Sequence, residues 1–287
     1  MALEPPPSPE TADRSSPDLE QLEIEVLLEA VYRRYGFDFR EYAPASLKRR
    51  LWRRVYGERL NTISQLTDRL LHDPVAMERL LLDLSINVTA MFRDPSFYGA
   101  LRSTVVPLLR TYPFTRIWVA GCSTGEEVYS LAILLHEEDV YGRTRIYATD
   151  INESVLDKAR AGVFPLDKMQ QYTQNYIRAG GARSFSEYYI AAYDGARFSR
   201  ELVENVVFAP HNLAMDSSFN EFTLIMCRNV MIYFDKALQD RVHELFYESL
   251  ETFGILALGH KESIHFTPYA DRYEELDRDE RIYRKVA

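Results

Sequence analysis

Cysteine is almost absent from the chain, which holds only Cys122 and Cys227, each beside an apolar run. Two such residues read as small buried thiols in a reducing compartment, with a disulfide or reactive thiol as the alternative. Together with six scattered histidines they offer no spacing suited to a zinc ion, so no metal is expected. No apolar run approaches the roughly 20 residues of a membrane span, and the N-terminus lacks a basic-then-apolar leader pattern. Membrane insertion is therefore not expected, and a cytoplasmic location is. Basic charge is in deficit, 34 Lys and Arg against 43 Asp and Glu, for a net charge of −9. That balance argues against binding nucleic acid over the whole surface, although it permits a local basic patch. No internal repeat is visible.

What is present suits a soluble protein of about two domains: 287 residues, 46% hydrophobic and 27% charged, with a mean hydropathy of −0.28. Residues 1–17 hold five prolines among Ser and Glu and read as a flexible tail. Residues 18–86 read as a helical N-terminal domain. Leu19, Leu22, Val26 and Ala30 recur at helical spacing with Glu20, Glu23 and Glu29 on the other side, and Leu47, Leu51 and Val55 form a second stripe. Asp73-Pro74 is a helix-start signal for a third segment, whose inner face is Met77, Leu80, Leu81 and Leu84.

Residues 87–287 change rhythm. Asp94-Pro95 repeats the start signal, and Phe97, Leu101, Val105 and Leu108 stripe the helix that follows. Apolar strands at Arg116–Ala120, Arg145–Thr149, Val206–Ala209, Thr223–Cys227 and Ile255–Leu258 then alternate with helices near 126–138, 153–161 and 235–252. Such alternation implies βαβ units and a mainly parallel sheet, an α/β fold, with Arg281–Val286 as a candidate antiparallel edge strand. Val163–Glu201 interrupts the alternation and is rich in Tyr and Phe. It reads as an inserted subdomain of a helix and a hairpin, with Ser186–Ala192 as a strand and Asp194-Gly195 as the turn.

The chemistry gathers at strand ends. Gly121 and Gly125 sit in a strand-to-helix turn, and Glu126 and Glu127 open the helix. A helix N-terminus carries roughly half a positive charge that a phosphate would exploit and that these carboxylates instead consume. The ligand expected there is a nucleoside with positive charge and no phosphate. S-adenosylmethionine fits that description, whereas NAD, FAD and ATP do not. Asp150 closes the next strand, either accepting ribose hydroxyls or lying solvated. Glu127 either accepts an ammonium or serves as an ordinary capping charge. Arg93, in Asn87-Val88-Thr89-Ala90-Met91-Phe92-Arg93, either orients a substrate carboxylate through its planar fork or forms a surface ion pair. Asp235 is the expected cap of a helix that leaves Tyr233 just outside, as a cleft hydroxyl or as packing. Asn212, in His211-Asn212-Leu213, meets adenine or caps a turn.

These segments together resemble one family. Asn87–Arg93, Ser123-Thr124-Gly125-Glu126-Glu127, Ala148-Thr149-Asp150-Ile151 and Phe222–Asp235, which contains Cys-Arg-Asn-Val-Met-Ile-Tyr-Phe-Asp, are similar to the signature segments of CheR-type chemotaxis receptor methyltransferases, from about residue 20 to the C-terminus. The resemblance implies an all-α N-terminal domain and a Rossmann-like S-adenosylmethionine-dependent methyltransferase domain with a small inserted β-subdomain. It implies cofactor positions at Asn87, Thr89, Arg93, Glu127, Asp150, Asn212, Leu213, Arg228 and Asn229, to which the glycine turn adds Gly121. Arg93 and Tyr233 match catalytic positions. Three departures stand out: Val128 where Pro is frequent, Met91 for a common Phe, and Lys261 where Ser is usual.

The implied reaction transfers the sulfonium methyl to glutamate side chains of chemoreceptors, giving methyl esters and S-adenosylhomocysteine for sensory adaptation. The expected partners are the receptors' cytoplasmic methylation helices. In some family members a receptor C-terminal tether peptide also binds at the β-subdomain. No nucleic-acid partner is expected, and the protein is expected to be a monomer. For receptor recognition, Arg49, Arg50 and Arg53 are read as one face of the helix at Ser46–Arg59, opposite Leu47, Leu51 and Val55, with Arg54 and Lys48 flanking. Such a face attracts acidic helices or is simply solvated. Competing readings are a nucleic-acid methyltransferase, which would need an aromatic-basic platform not evident here, and a non-catalytic adaptor that senses the cofactor.

Overall fold

The computed structural model describes residues 17–84, 89–192 and 195–286. The expected tail through residue 16, Asn87, and Asp194 of the hairpin turn lie outside the described residues. The chain divides into two compact units, Met1–Leu84 and Ser85–Ala287. Among the described residues no helix is long and apolar enough to cross a membrane.

The first unit is built from α1 (Pro17–Tyr35), α2 (Pro44–Gly57), α3 (Ile63–His72) and α4 (Pro74–Leu84). Asp73 starts α4 as expected, accepting the Val75 N–H at 3.0 Å, and Met77, Leu80, Leu81 and Leu84 are buried. The expected inner face of α1 is corrected. Leu19, Leu22 and Val26 are more than half exposed, while Ile24, Leu27, Leu28 and Val31 are buried. Both sets have helical spacing. The buried one holds the full i, i+3, i+4, i+7 pattern and faces α3, where Leu66 and Leu70 are buried and the Tyr35 hydroxyl reaches the Leu70 carbonyl at 2.6 Å.

The expected arginine face of α2 is corrected as well. Leu47, Leu51 and Val55 are buried, but so is Arg50, one helical turn from Leu47, and its guanidinium donates to the Leu84 carbonyl. Arg53 reaches Asp83 at 2.8 Å, and Arg54 donates to Asp83 at 2.6 Å and to Glu58 at 3.2 Å. Three of the four arginines thus converge on the C-terminal end of α4, whose last carbonyls have no helical partner and whose last turn carries no basic residue. Arg49 stands exposed on the outer face.

The second unit opens with α5 (Pro95–Ala100), which continues through a π turn (Leu101–Val105) into α6 (Val106–Leu109). That extra residue moves the buried stripe from the expected Leu108 to Leu109. Then follow β1 (Thr115–Ala120), α7 (Glu126–Glu137), β2 (Thr144–Asp150), α8 (Glu153–Ala161), β3 (Val163–Phe164), α9 (Met169–Arg178), β4 (Tyr189–Ala192), β5 (Gly195–Phe198), β6 (Val206–Pro210), β7 (Phe222–Cys227), α10 (Lys236–Ser249), β8 (Leu250–Leu258), β9 (Tyr273–Asp277) and β10 (Ile282–Lys285).

Seven strands form one sheet in the order β6-β2-β1-β7-β8-β10-β9. The first five are parallel, in register from Thr115 opposite Thr144 to Ala120 opposite Thr149. The chain runs outward from β1 through β2 to β6 and then returns to β7 on the other side of β1. The switch point therefore lies between β1 and β7, and doubly wound sheets bind ligands outside the carboxyl ends of the strands at such a point. The C-terminal segment pairs antiparallel as expected, but it is interior rather than an edge: β10 lies between β8 and β9. β9, Tyr-Glu-Glu-Leu-Asp, is polar enough to guard an edge and has no apolar pattern to announce it.

The expected insertion is present as a three-stranded sheet, β3-β5-β4, with α9. Its strand begins at Tyr189 rather than Ser186, because Ser184 and Glu187 form a capping box that winds Phe185–Tyr188 into a 3-10 turn. Gly195 belongs to β5, opposite Ala192. The insertion is tied to the C-terminal end of α7 by Glu137, which is almost wholly buried and accepts from Arg102, the Tyr176 hydroxyl, the Tyr188 hydroxyl at 2.8 Å and the Ala182 N–H at 3.1 Å. Burial pushes its carboxyl upward, but the hydrogen bonds outweigh this and hold it below the usual range. Cys122 and Cys227 are free buried thiols.

Candidate active site

The site is assembled at the carboxyl ends of β1, β2 and β7. Leaving β1, Gly121 takes φ +74°, and its N–H and that of Cys122 both donate to the Thr149 carbonyl, at 2.8 and 2.9 Å. A Cβ on Gly121 would come within 2.5 Å of the Val230 side chain. Gly125, at φ +97°, starts α7 and would meet Ala159 at 2.8 Å. Both glycines are thus required by backbone shape and by close approach.

Asp150 closes β2 with its carboxylate turned back onto this loop. One oxygen accepts the Ser123 N–H at 2.9 Å and the other the Asn152 N–H at 3.0 Å. Burial raises its pKa, and the backbone N–H groups oppose that rise. Each oxygen has capacity for a further donor. The His211 N–H donates to the Asp150 carbonyl at 3.1 Å, which brings Asn212 and Leu213 beside it. Of the two readings of Asn212, the structure shows a turn cap, its side-chain oxygen accepting the Ala214 N–H at 3.0 Å.

Arg228 is the hub. Its side chain has no exposed surface and lies with its guanidinium 3.8 Å from the centre of the Phe97 ring. One nitrogen is 2.8 Å from Asp94 and the other 3.4 Å from Glu127 and from the Arg93 carbonyl. Asp94 therefore does not cap α5. It sits at φ +57° with its carboxylate committed to Arg228, and Pro95 alone starts the helix. Burial raises the Glu127 pKa, with Arg228 opposing. Two carboxylates thus share one guanidinium, an arrangement that suits an ammonium or sulfonium ligand better than a phosphate. Glu126 points elsewhere, accepting from the Thr124 hydroxyl at 2.6 Å and from Tyr172 of the insertion at 3.4 Å.

The sequence pattern does not single out Glu262, four residues beyond the end of β8. Its buried carboxylate accepts four backbone N–H groups, from Asn229, Val230 and Met231 at 2.8 Å and from Gly259 at 2.7 Å. This bracket holds Asn229 at φ +61° and shapes the turn that carries Tyr233. The signal available was a carboxylate just after a strand end, three residues from a glycine. Tyr233 is half-buried in a 3-10 turn ahead of α10, whose cap is Asp235 as expected, accepting the Leu238 N–H at 2.9 Å.

Thr89 and Arg93 line a cleft of about 360 Å³ with Asp94 and with Lys168, Gln171, Tyr172 and Asn175 of the insertion. The Asn175 amide donates to the Met91 carbonyl at 3.0 Å and fixes one wall to the other. Among the described residues no group of three or more His, Cys, Asp or Glu side chains could hold a metal ion.

A parallel sheet with its switch point at β1, an acidic strand end and a buried carboxylate pair sharing one arginine at a helix start fit a Rossmann-like domain for a cationic nucleoside. The class is that of S-adenosylmethionine-dependent methyltransferases. Residues 22–85 match the CheR methyltransferase all-alpha domain, and residues 87–279 match the CheR methyltransferase SAM binding domain. The chain belongs to the CheR methyltransferase family. It is 52% identical over 264 residues to a Pseudomonas putida protein named as methyltransferase Cher3, covering 92% of this chain and 97% of that one. It is 34% identical over 244 residues to chemotaxis protein methyltransferase 2 of Pseudomonas aeruginosa, covering 82% and 84%. It is 30% identical over 240 residues to the chemotaxis protein methyltransferase of Escherichia coli, covering 81% of each.

Proposed function

We propose that this methyltransferase esterifies glutamate side chains on the cytoplasmic methylation helices of chemoreceptors. The supporting observation is the Asp94–Arg228–Glu127 cluster, which joins the loop bearing Arg93 to the start of α7 inside a chain matched to the family along nearly its whole length. We assign cofactor contacts to Asn87, Thr89, Arg93, Gly121, Glu127, Asp150, Asn212, Leu213, Arg228 and Asn229. In this assignment Glu127 offers its free lone pairs to the ammonium, and Asp150 its remaining ones to the ribose. Arg228 acts by holding Glu127 in place.

When bound, the cofactor supplies an electrophilic methyl group: a carbon–oxygen bond forms as the carbon–sulfur bond breaks, with its electron pair left on sulfur. The glutamate is ionised at neutral pH, its reference pKa being about 4.3, so no base is needed and no proton moves. The protein's task is alignment, which can supply about 7–11 kcal/mol. Arg93 steers the carboxylate and Tyr233 hydrogen-bonds near the methyl or the substrate oxygen. Receptor helices dock on the outer face of α2 through Arg49, with Arg53 and Arg54 contributing charge from their pairs with Asp83. Arg50, being buried, is withdrawn from that role. A receptor-tail peptide at the β-subdomain, a monomeric state and a cytoplasmic location complete the proposal.

The test is transfer of labelled methyl from S-adenosylmethionine to receptor-containing membranes, followed by mild alkali. Release of the label as methanol is the expected result. Label that resists alkali, or appears in nucleic acid, overturns the reading.

A further inference from the structure

The cleft between residues 89–94 and the start of α9 holds none of the residues that floor the cofactor site. Gly121, Glu127, Asp150 and Asn212 are absent from its lining, which shares only Thr89 and Arg93 with the assigned cofactor positions. Half of its wall comes from an insertion that the Rossmann-like layers do not require. Its volume of about 360 Å³ lies at the small end of the roughly 300–1,000 Å³ usual for ligand pockets. That space admits one amino-acid side chain with its neighbouring backbone.

Its charge has a sign. Asp94 is paired with Arg228 at 2.8 Å, and the guanidinium of Arg93 and the ammonium of Lys168 are the cationic groups of the lining. Lys168 is exposed, and none of the ion pairs among the described residues includes it. Nor does it help its own helix. It occupies the residue before Met169, where α9 begins, and a cation there opposes the helix dipole. The polar groups behind it are fixed: the Tyr172 hydroxyl lies against Glu126 and the Asn175 amide on the Met91 carbonyl.

We infer that this cleft is the acceptor subsite and that Lys168 is a specificity-determining contact, selecting a carboxylate side chain on an acidic helix of the substrate protein. The inference rests on the proposed carboxyl methylation and gives the insertion a part in it. An ammonium in this place favours an ionised glutamate over its uncharged amide, and it meets the acceptor beside Arg93.

The experiment measures steady-state methylation of receptor-containing membranes by the full chain and by K168Q and K168R, with S-adenosylhomocysteine affinity by calorimetry for each. K168Q is expected to raise the receptor KM about three- to fivefold, the worth of one partly exposed ion pair. It should leave S-adenosylhomocysteine affinity unchanged, and K168R should restore the KM. An unaltered KM in K168Q, or a loss of S-adenosylhomocysteine affinity instead, overturns the inference. Failure of the unmodified chain to label receptors at all overturns the underlying carboxyl-methylation reading, a result separable from either of these.

Discussion

Arg228 and Asp94 are 2.8 Å apart, with the arginine side chain wholly buried and the aspartate at the rim. The bond crosses 134 positions of sequence and fixes the loop bearing Arg93 to the exit of β7. Replacing Arg228 by Met would leave Glu127 buried near Asp94 without the guanidinium that pairs with both. Removing one partner of a buried pair costs about 3–5 kcal/mol. Urea denaturation should show that loss, and calorimetry should show weakened S-adenosylhomocysteine binding. An R228M variant of unchanged stability would mean that the cluster does not hold the site together.

Glu262 makes a sharper case, because its partners are backbone groups that cannot be mutated away. Glu262→Gln keeps the shape but turns one acceptor oxygen into a donor facing N–H groups. Each buried group left unsatisfied costs about 1–3 kcal/mol, so a loss of a few kcal/mol is expected. S-adenosylhomocysteine affinity should fall with it, since Asn229 is held by this carboxylate. Wild-type affinity in E262Q would separate the bracket from the cofactor site.

Stability should also carry an acid limb from His243. Burial in α10 lowers its pKa to about 4, Lys236 acting in the same direction and Asp240 against it. An unfolded histidine titrates near 6.5, so between those values the unfolded chain binds a proton that the folded one refuses. Stability therefore rises with pH across this window and falls on acidification, by about 3 kcal/mol over its full width. His243→Gln should flatten the urea midpoint between pH 6.5 and 4 relative to wild type. Parallel curves would refute the assignment.

The outer arginine of α2, Arg49, should behave unlike the inner one, Arg50. Arg49→Glu reverses an exposed charge and should raise the receptor KM while leaving the melting of the chain unaltered. Arg50→Glu puts a carboxylate against the Leu84 carbonyl in a buried position and should unfold the helical unit, seen as lost far-ultraviolet helix signal. Equal effects on KM with intact helix content would put both residues on the receptor face.

Gly121→Ala places a methyl at φ +74° within 2.5 Å of Val230. A loss above 1 kcal/mol is expected, of order 1–3 for the strained backbone alone. The double variant with Val230→Ala should recover the part due to the clash, as read from a thermodynamic cycle. No recovery would assign the whole cost to backbone conformation.

Much of this was legible from the chain alone, and the reasons are local. Parallel strands buried on both faces announce themselves as apolar runs, so β1, β2, β6, β7 and the core of β8 were found within a few residues. Proline after aspartate marked α4 correctly. It also marked the start of α5, yet there the aspartate serves a distant arginine, which no neighbouring residue betrays. The α1 stripe is ambiguous in sequence because two apolar rows share one helix and only α3 decides between them. Arg50 reads as exposed in sequence because only the fold brings the end of α4 to receive it. Of the site, spacing points to Gly121, Gly125 and Asp150 and the family resemblance to Arg228 and Asn229, while the partners Asp94 and Glu262 come from long-range folding.

Among the described residues, β9 has no neighbour in the sheet except β10, and β10 alone covers the open side of β8. Until Ile282–Lys285 has left the ribosome, the nascent domain therefore presents an unpaired, largely apolar β8 margin on which another chain could be templated. Truncation before Ile282 would make that transient exposure permanent.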